Sequence, residues 1–169
     1  MSTAKLIAQI RVADTTDAER LTKLINVAFR CAEQFFVEED RIDQATVQSL
    51  LVAGEFLIAE VNEAMVGTVY LEPRGERMYL GLLSVDPSTQ QSGLGSQLMS
   101  AAEDHSRARN AHFIDILIVN LREDLPTFYQ KRGYVETGTS PFPTDIQTKL
   151  PCHFITGGYS YNMTLWPIL

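Results

Sequence analysis

The stretch Leu83-Ser-Val-Asp-Pro-Ser-Thr-Gln90-Gln-Ser-Gly93-Leu-Gly95-Ser96-Gln-Leu98 constrains this chain more than any other. An apolar run ends at Asp-Pro, a small polar turn follows, and two glycines open a helical pattern. A helix start leaves several backbone N–H groups without intrahelical partners and carries the positive end of the helix dipole. With glycines there, an anion comes close to the backbone, so the segment reads as strand, turn and phosphate-binding helix start.

Two familiar phosphate loops do not fit. A dinucleotide fingerprint needs G-x-G-x-x-G, and Leu98 stands where the third glycine belongs. Its acidic ribose partner is expected about twenty residues on, where Asp115 lies inside an apolar run. A Walker loop needs Gly-Lys-Ser/Thr, and the segment holds no lysine. What remains is Q-x-x-G-x-G, spelled Gln90-Gln91-Ser92-Gly93-Leu94-Gly95, a pattern that a plain turn before a helix also satisfies.

A second stretch, Phe128-Tyr129-Gln-Lys131-Arg-Gly133-Tyr134, narrows the reading. Together the two resemble the GNAT superfamily of acyl-CoA-dependent N-acetyltransferases. The family's motif A is Q/R-x-x-G-x-G/A, and its motif B ends in Tyr-x-Lys-x-Gly-Phe/Tyr. The resemblance is motif-specific from Leu82 to Tyr134 and runs in element order from Thr16.

Composition and periodicity agree with a globular α/β chain. At 169 residues the chain is of ordinary domain size, which predicts one domain over residues 1–169. Lys plus Arg number 14 against 21 Asp plus Glu, a net charge of -7, which argues against a nucleic-acid surface and favours a cationic substrate. Cys31 and Cys152 are the only cysteines, without metal-ligand spacing, so reduced structural thiols and no metal are expected. Leu6 to Arg11 is too short and too soon polar for a signal peptide, and no apolar run approaches a membrane span. The expected location is the cytoplasm, with no membrane partner.

The expected elements begin with a strand over Leu6 to Val12 and a helix capped within Asp14–Asp17 that carries Ala18, Leu21, Leu24, Ile25, Ala28 and Phe29 on one face. A shorter helix covers Asp43 to Leu51, and strands cover Glu55 to Val61, Met65 to Leu71 and Met78 to Val85, the first two joined at Asn62-Glu63. A helix over Gly93 to Arg109, a doubly covered strand over Phe113 to Val119 and a short helix over Leu125 to Lys131 follow. A sixth strand spans Tyr134 to Thr137, and a last one alternates Tyr159, Tyr161, Met163 and Leu165 against Ser160, Asn162 and Thr164. Gly157-Gly158 reads as a bulge within that strand or as the turn of a separate hairpin, the bulge being preferred. This order is that of the GNAT fold, which implies a mixed α/β architecture. Its central sheet has six or seven mostly antiparallel strands, a splayed parallel pair and about four helices.

The resemblance also implies roles. Acetyl-CoA is the implied cofactor, its pantetheine arm bound by the backbone of Leu83, Ser84 and Val85 and its pyrophosphate by the amides of Gln91, Ser92, Gly93, Leu94, Gly95 and Ser96, with Gln90 also at the cofactor. Tyr129 is the implied general acid for the departing thiolate, since its phenol pKa of about 10 is roughly matched to a thiol. Where relatives carry asparagine near the end of the strand before motif B, this chain has Arg122, with Asn120 just ahead; either reaches the cofactor in this reading. Some relatives place a glutamate base early in the fourth strand, where Tyr79 stands, and no base is assigned.

Acceptor selection is expected from the loops around Phe35, Glu38 and Phe142, together with Tyr79. The acceptor class is a primary amine of a small molecule or peptide, and the family leaves a homodimer open. Two other classes compete: a non-catalytic acyl-CoA-binding regulatory module on the same fold, and a nucleotide-binding α/β protein.

Overall fold

The protein, seen in a computed structural model, is described over residues 5–160. Strand β1 (Gln9–Val12) leads into α1 (Ala18–Glu33), and α2 (Gln44–Ala53) follows. Strands β2 (Glu55–Val61), β3 (Ala64–Arg74) and β4 (Arg77–Val85) precede α3 (Leu94–Ala108) and β5 (Phe113–Val119). The chain continues through α4 (Leu125–Gln130), β6 (Val135–Pro141) and β7 (His153–Ser160). The sheet runs β1-β2-β3-β4-β5-β7-β6, and every neighbouring pair is antiparallel except β4 with β5.

Local chemistry accounts for the helix starts. Asp14 Oδ1 accepts from Thr16 N at 2.8 Å and Asp17 Oδ2 accepts from Asp14 N at 3.0 Å, a reciprocal cap just ahead of α1. Asp17 is buried, and Arg11 donates to both its oxygens at 2.8 and 2.9 Å. Asp43 caps α2 through Thr46 N at 2.7 Å.

Alternation along β2 divides the core into two layers. Phe56 and Ile58 face α1 and α2, where they meet Leu21, Ile25, Val47 and Tyr70. Leu57 and Ala59 face α3, beside Leu98, Met99, Ile114 and Ile116. Each fully buried leucine or isoleucine contributes about 1.5–3 kcal/mol through its burial, so these two layers fix how the helices sit on the sheet. No helix among the described residues is long and apolar enough to cross a membrane.

Several boundaries differ from the sequence expectation, among them the far end of β3, which runs to Arg74, and three others with a visible cause or consequence. Strand β1 starts at Gln9, because the preceding backbone is held by a side chain: Gln97 Oε1 accepts from Ala8 N at 3.1 Å and Gln97 Nε2 donates to Leu6 O at 2.5 Å. Strand β6 continues to Pro141, beyond Thr137. Strand β7 starts at His153, earlier than expected, and runs through Gly157-Gly158 paired on both sides. The bulge lies instead in the facing strand, where the register slips between Glu136 and Gly138. The alternation expected at Tyr161, Met163 and Leu165 lies outside the described residues.

Candidate active site

The parallel pair comes apart partway. Strands β4 and β5 pair from Arg77↔Phe113 to Leu80↔Ile116 and no further. Gly81 still faces Tyr70 on β3, after which Ser84 faces Thr68, so Leu82 and Leu83 together oppose Val69. This is a bulge, with Leu82 at a positive φ of 52°. It turns the end of β4 away from β5 and leaves Leu83, Ser84 and Val85 along a cleft of about 460 Å³.

One end of that cleft is the start of α3. Gly93 takes a left-handed φ of 84° as its N-cap without a side-chain cap, and the first helical bond runs from Gln97 N to Gly93 O at 3.1 Å. The amides of Leu94, Gly95 and Ser96 precede that bond and have no intrahelical acceptor. Gln91 also has a positive φ, 63°, so consecutive amides curve into an anion-binding concavity. A Cβ on Gly95 would project between Val85 and Phe128, at 3.9 and 3.8 Å, into the cleft. Such a floor of free amides between strand and helix fits a diphosphate with a narrow arm attached.

The residues expected at this site separate by position. Leu83, Ser84, Val85, Gln90, Gln91, Gly93, Leu94, Gly95, Ser96 and Arg122 line the cleft. Ser92 is buried beneath it, its hydroxyl donating to Thr89 O. Asn120 is turned away: its Oδ1 accepts from His153 N at 2.8 Å and its N–H donates to His153 O at 3.0 Å, tying β5 to β7. Arg122 is held by carboxylates, donating from Nε and Nη2 to Asp124 at 3.0 Å and from Nη1 to Glu33 at 3.5 Å. That fork keeps the Asp124 carboxyl below the usual aspartate range.

Tyr129 is buried beside a second, smaller cleft that the splay opens between Leu82, Leu83, Leu117 and Phe154. Its ring stands edge-on to Phe128 and Tyr134, and its hydroxyl has no hydrogen-bond partner among the described residues. Burial raises the phenol well above the ordinary tyrosine value, so it keeps its proton at neutral pH. Tyr79 borders the same cleft, its pKa also raised by burial.

Of the four residues expected to meet an acceptor, Tyr79 and Phe142 line clefts, whereas Phe35 and Glu38 do not. Phe35 is exposed and packs edge-on against Phe36, and Glu38 pairs with Lys149 at 3.0 Å. That pair belongs to a roof. Val37 bridges Thr148, and Lys149 N donates to Phe36 O at 2.9 Å, fastening the segment after α1 to the β6–β7 loop. Beneath the roof lies a cleft of about 140 Å³ that includes Phe29, Glu33, Arg41 and Phe142.

The family comparison decides what this arrangement belongs to. The acetyltransferase (GNAT) domain model matches residues 23–146, most of the chain and both motifs. The chain belongs to the GNAT acetyltransferases. It is therefore an acyltransferase with acetyl-CoA as co-substrate, acting on an amine. No curated protein matched this acetyltransferase.

Among solved structures, Ard1 from Thermoplasma volcanium superimposes with a TM-score of 0.75 at 19% identity, covering 92% of this chain and 98% of that one. The ribosomal-protein-S18-alanine N-acetyltransferase of Escherichia coli gives 0.73 at 17%, covering 91% and 94%. The PaiA N-acetyltransferase of Thermoplasma acidophilum, in complex with coenzyme A, gives 0.73 at 16%, covering 92% and 100%. At these identities the likeness establishes the fold.

Sequence reasoning missed Glu33 and Arg41. Glu33 continues the buried register of α1 past Ile25 and Phe29 at helical spacing, so a carboxylate on an apolar face was the available signal. Burial raises its carboxyl above the usual glutamate range, against the lowering fields of Arg41 and Arg122. Arg41 carries no comparable mark, since its place follows from the fold of the α1–α2 segment.

Proposed function

We propose that this acetyltransferase transfers an acetyl group from acetyl-CoA directly to a primary amine, without a covalent acyl-enzyme. The observation that carries the reading is the end of β4–β5 pairing at Leu80↔Ile116, which leaves backbone from Leu83 to Val85 facing a cleft floored by the free amides of α3. Acetyl-CoA supplies an activated acetyl thioester there.

In this reading the amides of Leu94, Gly95 and Ser96 hold the diphosphate, and Gly93 keeps the turn open for it. The backbone of Leu83, Ser84 and Val85 binds the pantetheine arm as a neighbouring strand would. Tyr129 faces the point where the strands part and donates its proton to the departing sulfur. Arg122, locked by Asp124 and Glu33, shapes the passage between the clefts instead of neutralising phosphate. Asn120 acts as a strut.

Direct attack is favoured because, among the described residues, no cysteine lines these clefts and the Thr89 hydroxyl there is spent on Asp86 O at 3.0 Å. The Ser84 hydroxyl likewise donates to Leu82 O at 2.9 Å. Titration calorimetry with coenzyme A, NAD and ATP, combined with thiol release from acetyl-CoA over an amine panel, tests the proposal. Binding of coenzyme A alone, with amine-dependent thiol release, is expected. Preference for NAD or ATP would overturn it, and coenzyme A binding without thiol release for any amine would mark a binding module.

A further inference from the structure

Every arginine of the described chain but one has a carboxylate oxygen at ion-pair distance. The exception is Arg41, whose guanidinium lies over the Phe29 ring at 5.0 Å. In a chain with 21 acidic against 14 basic side chains, an arginine without an acidic partner is conspicuous. Its neighbour Asp40 is taken by Arg30. Arg41 lines both the roofed cleft and the one that reaches Tyr129.

Glu33 lines the same two clefts and has the complementary character. It is buried, and its contact with Arg122 is long, 3.5 Å, because the Arg122 fork is occupied by Asp124. Its second carboxylate oxygen accepts no hydrogen bond from the described residues. The two charges therefore face one small space at more than ion-pair distance, among the rings of Phe29, Tyr79, Phe142 and Phe154. A cation and an anion held apart across an aromatic-walled cleft match a ligand bearing both charges.

We propose that the acceptor is an amino-acid-type zwitterion with an aromatic or apolar side chain, its ammonium received by Glu33 and its carboxylate by Arg41. The proposal rests on the acetyltransferase reading and names the substrate class of that site. Glu33 orients the amine beside the splay and takes one proton from it, leaving the neutral amine whose lone pair forms the new N–C bond. That first proton passes from Glu33 to solvent, the thioester C–S bond breaks as the N–C bond forms, and the departing sulfur takes its proton from Tyr129, whose phenolate is reprotonated by the second proton lost from nitrogen. Arg41 and the rings choose which amines reach that position.

The test compares L-phenylalanine with phenethylamine and L-phenylalaninamide, which keep the amine and the ring but lack the carboxylate. Binding is measured by calorimetry with coenzyme A present, and turnover by thiol release from acetyl-CoA, with the other standard amino acids screened in parallel. At least a tenfold preference for an amino acid over its decarboxylated and amidated analogues is expected in both readouts. Arg41→Gln should reduce that preference to near unity, and Arg41→Lys should restore part of it. Equal or better use of the analogues would overturn the proposal, as would an unchanged preference in Arg41→Gln. So would failure of every amino acid to bind while coenzyme A binds. Loss of coenzyme A binding in the unmodified protein would instead overturn the acetyltransferase reading and this proposal with it.

Discussion

Tyr129 and Asp17 are both buried polar residues, yet their surroundings set them opposite tasks. Tyr129 has its proton held by burial and its hydroxyl unengaged, so it is free to act on a bound group. Tyr129→Phe should lower kcat by roughly a hundredfold or more, as loss of a general acid does, with coenzyme A affinity in calorimetry unchanged. Asp17 is fully engaged by Arg11 and the helix cap, which hold its carboxyl below the ordinary aspartate value. Between that lowered value and the unfolded one the native state binds fewer protons, so the stabilisation is complete above the unfolded pKa and is lost as pH falls through the folded one. Asp17→Asn should cost about 1.5–3 kcal/mol at pH 7 in urea unfolding. That difference should shrink below about pH 4. Glu33 carries the reverse sign. Its raised carboxyl makes the native state bind more protons than the unfolded one in the window above the ordinary glutamate value, so stability falls as pH rises through it.

At the scale of elements, the start of α3 and the end of β4 make the cleft between them. Gly93→Asp places an anion where the diphosphate is to sit and puts a Cβ at a left-handed φ of 84°. Calorimetry should show coenzyme A affinity reduced at least tenfold, and urea unfolding a loss of about 1 kcal/mol. In β4, a Cβ on Gly81 would meet the Tyr79 hydroxyl at 2.6 Å, so that phenol lies folded across the strand where pairing with β5 has ended. Gly81→Ala should push Tyr79 into the acceptor side of the splay, raising the acceptor KM with coenzyme A affinity intact. Steady-state kinetics with varied amine checks this.

Over the whole molecule, the clefts exist because distant segments converge. Saturation with acetyl-CoA at a hundred times its dissociation constant should add about 2.7 kcal/mol, a rise in Tm of roughly 5–10 °C in a thermal scan. The same scan with NAD or ATP should show no comparable rise. Motif A, motif B, the capped helices and the element order were legible because each depends on neighbours within a few residues: caps, periodicity and turn glycines. Glu33 and Arg122 meet across 89 positions of sequence, and Val37 finds Thr148 from opposite halves of the chain. No local pattern encodes those meetings. The strand limits near Leu6 and His153 are not local either, since a side chain from α3 in one case and a two-sided sheet in the other determine where pairing begins.

The amino-acid order by itself determined the family, the helix start that exposes its amides and the tyrosine at the close of motif B, because short-range spacing specifies all three. Only the tertiary structure decided that Arg122 is spent on Asp124 and Glu33, that Asn120 ties two strands, that Glu38 fastens a roof, and that Glu33 and Arg41 face one cleft. Burial and ion pairing are properties of what surrounds a side chain, and the surroundings come into being when the sheet brings both halves of the chain together.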